Sequence, residues 1–352
     1  MKRLHELDYL RGLAAFGIMV FHYLSWTRGE FSAADTMGRI GIYGVAIFYI
    51  LSGLTLFHAY NESLSGGWKE ARNFFKRRIL RIYPLLIVSI ILSILIFRQG
   101  QFQIGELILN VTGLFGFIDW SHTIAVGSWS IGNELVFYVF FPIFAYLFHR
   151  NKASFIIFCF VIFATFLYFA FILHDPSSSL SSEVQRSYYF NPLNHLFLFL
   201  GGYLIGAWLE HLQLRSLWAS VLILSGCFLF IAWPEEGDRI RLVCGNTRMA
   251  LTASCFLICI GFYKSNYPLP PFAARPLSML GEISYSVYML HPIVHRSILY
   301  PINYVRAHFF AVPESMRFAL AVALTLVISY FVYQYFEKYF IRLGKKRAVI
   351  SS

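Results

Sequence analysis

Arg11 and His22 stand eleven residues apart within one largely apolar stretch. At about 100° per residue they fall within about 20° of the same helix face, about 16 Å apart along its axis. Ionisable groups in such a stretch are costly and mark functional sites. An imidazole, with an ordinary pKa of about 6.5, suits proton transfer at neutral pH. A second constellation is Glu134 with Tyr138 at i+4, a spacing that lets the phenol donate to the carboxylate. It follows directly on Ser128, Trp129 and Ser130. A third holds Glu282, Ser284, Tyr285, Tyr288 and His291. Tyr288 and His291 are three apart, Ser284 and His291 seven, so these share a face. The fourth is basic: Lys69, Arg72, Lys76, Arg77, Arg78 and Arg81. Arg77, Arg78 and Arg81 fall at i, i+1 and i+4 and form one guanidinium cluster if helical. Cations at a helix N-terminus oppose its dipole, and an anion there offsets the repulsion. Arginine binds phosphate through paired hydrogen bonds, so several phosphates would suit the cluster.

Each set also has a structural reading. An arginine near a helix end snorkels, and a buried His bonds a carbonyl. Glu134 and the late Ser-Tyr-His face tie helices together. A basic run binds lipid headgroups. The common face of Arg11 and His22 argues for a shared internal pathway more strongly than either residue does alone.

The elements that must position these groups follow from composition. Of the 352 residues 58% are hydrophobic and 13% charged, against about 25% charged in a soluble domain. Such a chain cannot clothe one core in polar surface, and disorder, which needs charge and few apolar residues, is excluded. Ten segments carry the roughly 20 apolar residues that cross a bilayer: about 9–27, 38–60, 79–97, 129–149, 153–173, 192–211, 216–233, 247–263, 277–299 and 317–340. The shorter apolar stretch 104–118 reads as interfacial or re-entrant. The charged start followed by apolar residues resembles a secretory signal, but without a small-residue cleavage site it reads as a retained first span. The expected fold is all-α: a polytopic membrane bundle, one domain over 1–352, with a basic tail at 341–352.

An even number of spans puts both termini on one side. That side receives 19 of the 29 Lys and Arg, the other side 10. The imbalance predicts cytoplasmic termini. The net charge of +11 is therefore mostly a topology signal, and no nucleic-acid partner is expected. Cys159, Cys227, Cys244, Cys255 and Cys259 form neither a disulfide framework nor a metal set.

The order of these motifs resembles the acyltransferase-3 family of integral-membrane acyltransferases, from Leu7 to about Glu337. Leu7-Asp8-Tyr9-Leu10-Arg11-Gly12 with Phe21-His22 is similar to the family's opening. Gly44 to Gly53 is similar to its second-span stretch ending in Ser-Gly, and Arg77-Arg78-Ile79-Leu80-Arg81-Ile82-Tyr83-Pro84 to its basic motif. Trp129 to Glu134 with Phe137-Tyr138 resembles its Trp-and-Glu motif, and Leu280 to Pro292 its Ser-Tyr and His-Pro motif. Two departures stand out: Ala46 where an acid is common, and Gly132-Asn133 in place of Ser and an aliphatic or Tyr residue.

The resemblance implies transfer of an acetyl or short acyl group from coenzyme A to a hydroxyl of an envelope glycan, such as O-antigen or exopolysaccharide, or of a lipid-linked sugar. It implies a bacterial inner-membrane location among lipid, acetyl-CoA as co-substrate and no permanently bound cofactor. Some relatives append a soluble esterase-like domain, which the short stretch after the last span would leave no room for. On this reading Arg77, Arg78 and Arg81, with Arg11, hold the phosphates of coenzyme A. His22 is the general base, and Glu134 orients it or places the acceptor. Trp129 stacks on a sugar ring at the outer mouth, while Tyr138, Ser284, Tyr288 and His291 line the substrate path. Ser52, Ser130 or His291 would be the carrier if a covalent acyl-enzyme formed. A secondary transporter or a non-catalytic scaffold would use the same buried polar residues differently.

Overall fold

The computed structural model describes residues 4–64, 67–98, 103–177, 180–265, 269–308 and 312–345. Lys346 and Arg347 of the basic tail lie outside them. Among the described residues the regular structure is all helical. In order the helices are α1 (His5–Arg28), α2 (Thr36–Leu64), α3 (Trp68–Ser93), α4 (Ile104–Thr112), α5 (Phe115–Ile118), α6 (Trp129–Arg150) and α7 (Lys152–Tyr168). There follow α8 (Ser182–Phe190), α9 (Pro192–Leu209), α10 (Ser216–Ala232), α11 (Gly245–Lys264), α12 (Pro271–Glu282), α13 (Ser284–His308), α14 (Glu314–Phe331) and α15 (Lys338–Lys345). π-helical turns extend α3 and α7, at Ile94–Arg98 and Phe169–Leu173, and a third, Val332–Glu337, joins α14 to α15.

Local chemistry sets several boundaries. Asn191 caps α9 by accepting from the Leu193 N–H, with Pro192 in the first turn, where its missing N–H costs nothing. Asn151 caps α7 in the same way through Ser154 N–H. The orphan carbonyls at the end of α10 are taken by buried Arg39, which donates to Phe230, Ile231 and Trp233 at 2.7–2.9 Å.

Seven helical stretches among the described residues are long and apolar enough to cross a membrane. The three remaining expected spans are α1 (24 residues), α10 (17) and α13 (25). In α1 and α13 polar residues such as Arg11, His22, Ser284 and His291 lower the apolarity. The expected span 277–299 is interrupted: α12 ends at Glu282, Ile283 leaves the helical region at φ −87° and ψ 2°, and α13 starts at Ser284. The stretch 104–118 folds as α4 and α5, both too short to span. Outward faces of α7, α10 and α14 expose Ile157, Phe160, Leu224, Phe228, Val327 and Phe331. Such a belt suits lipid and is unfavourable in water.

The centre is the crossing of α2 with α9, sealed by Phe137, Phe141 and Phe144 of α6 against Phe199 and Tyr203 of α9. A Cβ on Gly202 would lie 1.9 Å from the Ile50 carbonyl oxygen, and one on Gly53 2.0 Å from that of Phe199. Only glycine lets these backbones touch, a device common between membrane helices. Gly202→Val is therefore expected to cost at least the usual 1–3 kcal/mol of overpacking, because backbone rather than a flexible side chain must move. Thermal melting in detergent measures this, and an unchanged melting temperature would contradict the crossing.

Candidate active site

Where α1, α2, α3, α6, α12 and α13 converge they leave a cavity of about 1260 Å³. It reaches solvent at the end of the bundle where exposed Glu62, Glu210, His211 and Lys345 line it. Leu4 and Lys345 both border it, so the two ends of the described chain lie at one face. Arg11, Arg78 and Arg81 line it as well. Arg11 Nη1 is 3.4 Å from Asp8 Oδ1, and Nη2 donates at 3.4 Å to Thr55 Oγ1. Arg78 donates to Tyr60 Oη at 3.1 Å, and its guanidinium lies 5.2 Å from the Tyr60 ring centre and 5.9 Å from that of Tyr138. Aromatic faces stabilise the cation without neutralising it.

Arg77 is exposed and does not line the cavity. On a helix Arg77 and Arg78 bound an arc of about 100° with Arg81 between them. The arc turns Arg78 inward, while the Arg77 backbone faces Gly344 of α15.

Glu134 sits deeper, accepting hydrogen bonds from Ser52 Oγ (2.9 Å) and from Tyr138 Oη (2.7 Å), the i,i+4 pair expected from spacing. Its partners are thus on α2 and α6, not on His22. The Ser-Gly pair of α2 has two separate jobs: Ser52 holds Glu134, and Gly53 admits α9.

The cavity ends on Tyr49, Ser130 and Tyr288. Tyr288 Oη donates to the Gly127 carbonyl at 3.0 Å and pairs with Ser130 Oγ at 2.7 Å. Gly127 can present that carbonyl because its φ is +82°, a conformation other residues rarely adopt. Asn133 donates to Tyr49 Oη at 3.1 Å, so one half of the Gly132-Asn133 departure fastens the end wall. The other half, Gly132, lets α5 pack against α6, since a Cβ there would meet Phe115 and Gly116.

Behind this wall lie two imidazoles. His22 Nδ1 is 2.8 Å from His291 Nε2. Trp26, 41% exposed, is parallel to His22 at 5.2 Å and 7°. Tyr23 Oη donates to the His291 carbonyl at 2.9 Å and pairs with Thr325 Oγ1 at 2.6 Å. Neither His22 nor His291 lines the cavity itself.

The structure thus gathers Arg11, Arg78, Arg81, Glu134, Tyr138, Ser284 and Tyr288 around one cavity, and pairs His22 with His291 beyond it. Ser284 is buried there, its hydroxyl donating to the Gly281 carbonyl at 2.9 Å. Trp129 is placed differently from the expectation. It is buried, 9% exposed, and stacked on Phe190 at 4.4 Å and 10°, beside Tyr189 and His195. A sugar cannot use a face that Phe190 covers. Trp26, Tyr49, Thr55 and Tyr60 escape notice in the sequence. For Trp26 a signal exists, since it stands at i+4 from His22. Tyr60 gives none, because its role depends on where α3 crosses. Among the described residues no group of three or more His, Cys, Asp or Glu is placed to hold a metal.

The chain is similar to known proteins over most of its length. The acyltransferase-3 family model (acyltransferase domain) matches residues 4–334. The protein named "Putative peptidoglycan O-acetyltransferase YrhL" from Bacillus subtilis (strain 168) is 24% identical over 94% of this chain and 54% of its own length. "O-acetyltransferase OatA" from Staphylococcus aureus is 23% identical over 82% of this chain and 50% of its own. "Putative acetyltransferase ORF330" of Acidianus two-tailed virus is 25% identical over 81% of this chain and 82% of its own. The chain spans about half the length of the two bacterial relatives. With a match that runs through nearly every helix of the bundle, the chain belongs to the acyltransferase-3 family.

Proposed function

We propose that this protein transfers an acetyl or short acyl group from acyl-CoA to a hydroxyl of a cell-envelope glycan or lipid-linked sugar. The cavity carries this reading. It begins in solvent, passes three arginines and ends one side-chain layer from a histidine pair. Its volume exceeds the roughly 300–1000 Å³ of ordinary small-molecule pockets, as a nucleotide with a long thioester arm requires. The excess of Lys and Arg around the arginine-lined end supports a cytoplasmic entrance, in a bacterial inner membrane, where acetyl-CoA would arrive. The name of the Bacillus relative adds peptidoglycan to O-antigen and exopolysaccharide as acceptor classes.

In this mechanism Arg78, Arg81 and Arg11 bind the phosphates. The acyl arm lies along Glu134 and Ser284 and carries the thioester past Tyr288 to His22, which requires the Tyr288–Ser130 pair to part. His22 removes the proton from the acceptor hydroxyl, and that oxygen attacks the thioester carbonyl. The tetrahedral adduct expels the coenzyme A sulfur, and the proton on His22 passes to it. The products are one ester and one thiol. The test is mass spectrometry of envelope glycans from cells with and without the gene. One glycan is expected to lose one acetyl mass per modified site in its absence. Identical glycans would overturn the proposal and favour a transporter or scaffold.

A further inference from the structure

The two imidazoles are joined in only one self-consistent way. His291 Nδ1 is 3.0 Å from the Val287 carbonyl oxygen. A carbonyl can only accept, so Nδ1 carries the hydrogen. A neutral imidazole has one N–H, which leaves a lone pair on His291 Nε2. His22 Nδ1, 2.8 Å away, must then be the donor. His22 Nε2 is left with the free lone pair. Both rings are taken as neutral because, among the described residues, neither is within ion-pair distance of a carboxylate. A buried charge without a counter-ion is expensive.

From this wiring we infer that His291 is a positioning residue, which locks His22 in the tautomer whose Nε2 is the base. The inference rests on the reading of His22 as general base. His291 is well held for the task. Tyr23 Oη grips its carbonyl, Thr325 grips Tyr23, and Val287 fixes its ring. Trp26 lies parallel to both imidazoles, at 5.2 Å from His22 and 6.0 Å from His291. A positioning role differs from a substrate contact or an acyl carrier, because His291 would touch neither donor nor acceptor. A wrong tautomer at a comparable general base lowers turnover by about 10⁴.

The test combines a spectrum with a pair of variants. The full chain, with ¹⁵N-labelled histidine and reconstituted in lipid, gives imidazole nitrogen shifts. His22→Gln identifies the His22 signals by their loss. The wild type is expected to show His22 protonated on Nδ1 and bare on Nε2. His291→Gln keeps an acceptor oxygen where Nε2 stood. It is expected to retain the His22 tautomer and turnover within about tenfold. His291→Ala is expected to lose the tautomer and about 10²–10⁴ of turnover, with KM for acetyl-CoA unchanged. His22 protonated on Nε2 in the wild type would overturn the inference, whether or not either variant folds. So would His291→Gln as inactive as His291→Ala with the tautomer intact, which would make His291 a chemical participant. The spectrum needs neither donor nor acceptor. If the wild type shows the expected tautomer yet transfers no acyl group, the proposed function fails and the wiring stands.

Discussion

Replacing His22 with alanine is expected to reduce acyl transfer by about 10²–10⁴, the usual contribution of a positioned general base. This is about 3–5 kcal/mol of transition-state stabilisation. The loss should fall on turnover and leave donor affinity unchanged. His22 does not line the cavity where the donor is proposed to bind, and Tyr288 and Ser130 stand between. Some stability is also expected to go. Alanine leaves His291 Nε2 without its donor, a loss of about 1–3 kcal/mol for an unpaired buried group. The variant should still be present in the membrane, since the α2–α9 crossing does not involve it. Labelled acetyl transfer by purified protein, beside a separate measurement of acetyl-CoA binding, separates these effects. Transfer at the wild-type rate would remove His22 from the chemistry. Loss of both transfer and binding would mean that the imidazole pair shapes the cavity instead.

Removing two arginines should have the complementary effect. Each hydrogen bond to a charged group contributes about 1.5–3 kcal/mol. Arg78→Ala with Arg81→Ala is therefore expected to weaken acetyl-CoA binding by about 10²–10⁴. Arg77→Ala is expected to change it less than about threefold, because an exposed cation is screened by water and salt. Titration calorimetry with coenzyme A measures all three proteins. Raising the salt should weaken the wild type and affect the double variant less. Equal losses from Arg77→Ala and from the double variant would show that the cluster acts as a diffuse basic surface. A melting curve is the necessary control, since Arg78 also holds Tyr60 at 3.1 Å.

Much of the site is readable in the sequence where its geometry is local. Helical periodicity puts Arg11 and His22 on one face of α1, and the structure gives that face the cavity at one end and the imidazole pair at the other. The i,i+4 spacing of Glu134 and Tyr138 predicts a bond that forms at 2.7 Å. Apolar run lengths predict the helices. The break in the span 277–299 is harder to see, because Gly281, Glu282 and Ser284 interrupt a pattern that hydropathy averages over.

Contacts between distant segments are another matter. His22 and His291 are 269 residues apart, and nothing in either motif names the other as partner. Glu134, expected to orient His22 or to place the acceptor, meets Ser52 and Tyr138 rather than His22 for the same reason. Each residue has the right chemistry, but only the helix crossings decide which two meet. Trp129 shows the converse. Its type suits a sugar platform, yet Phe190, brought in by the turn between α8 and α9, covers its face. Arg77 and Arg78 are neighbours in sequence and differ by about 100° on the helix. Which of them points into the cavity depends on where α2 and α15 pack against α3. The sequence by itself determines the helical membrane bundle and the residues able to do chemistry, because hydropathy and helical phase are properties of short segments. Only the tertiary structure decides the cavity, its end wall at Tyr288 and the paired imidazoles. Those depend on how α1, α2, α6 and α13 cross, and no short segment encodes a crossing between helices far apart in the chain.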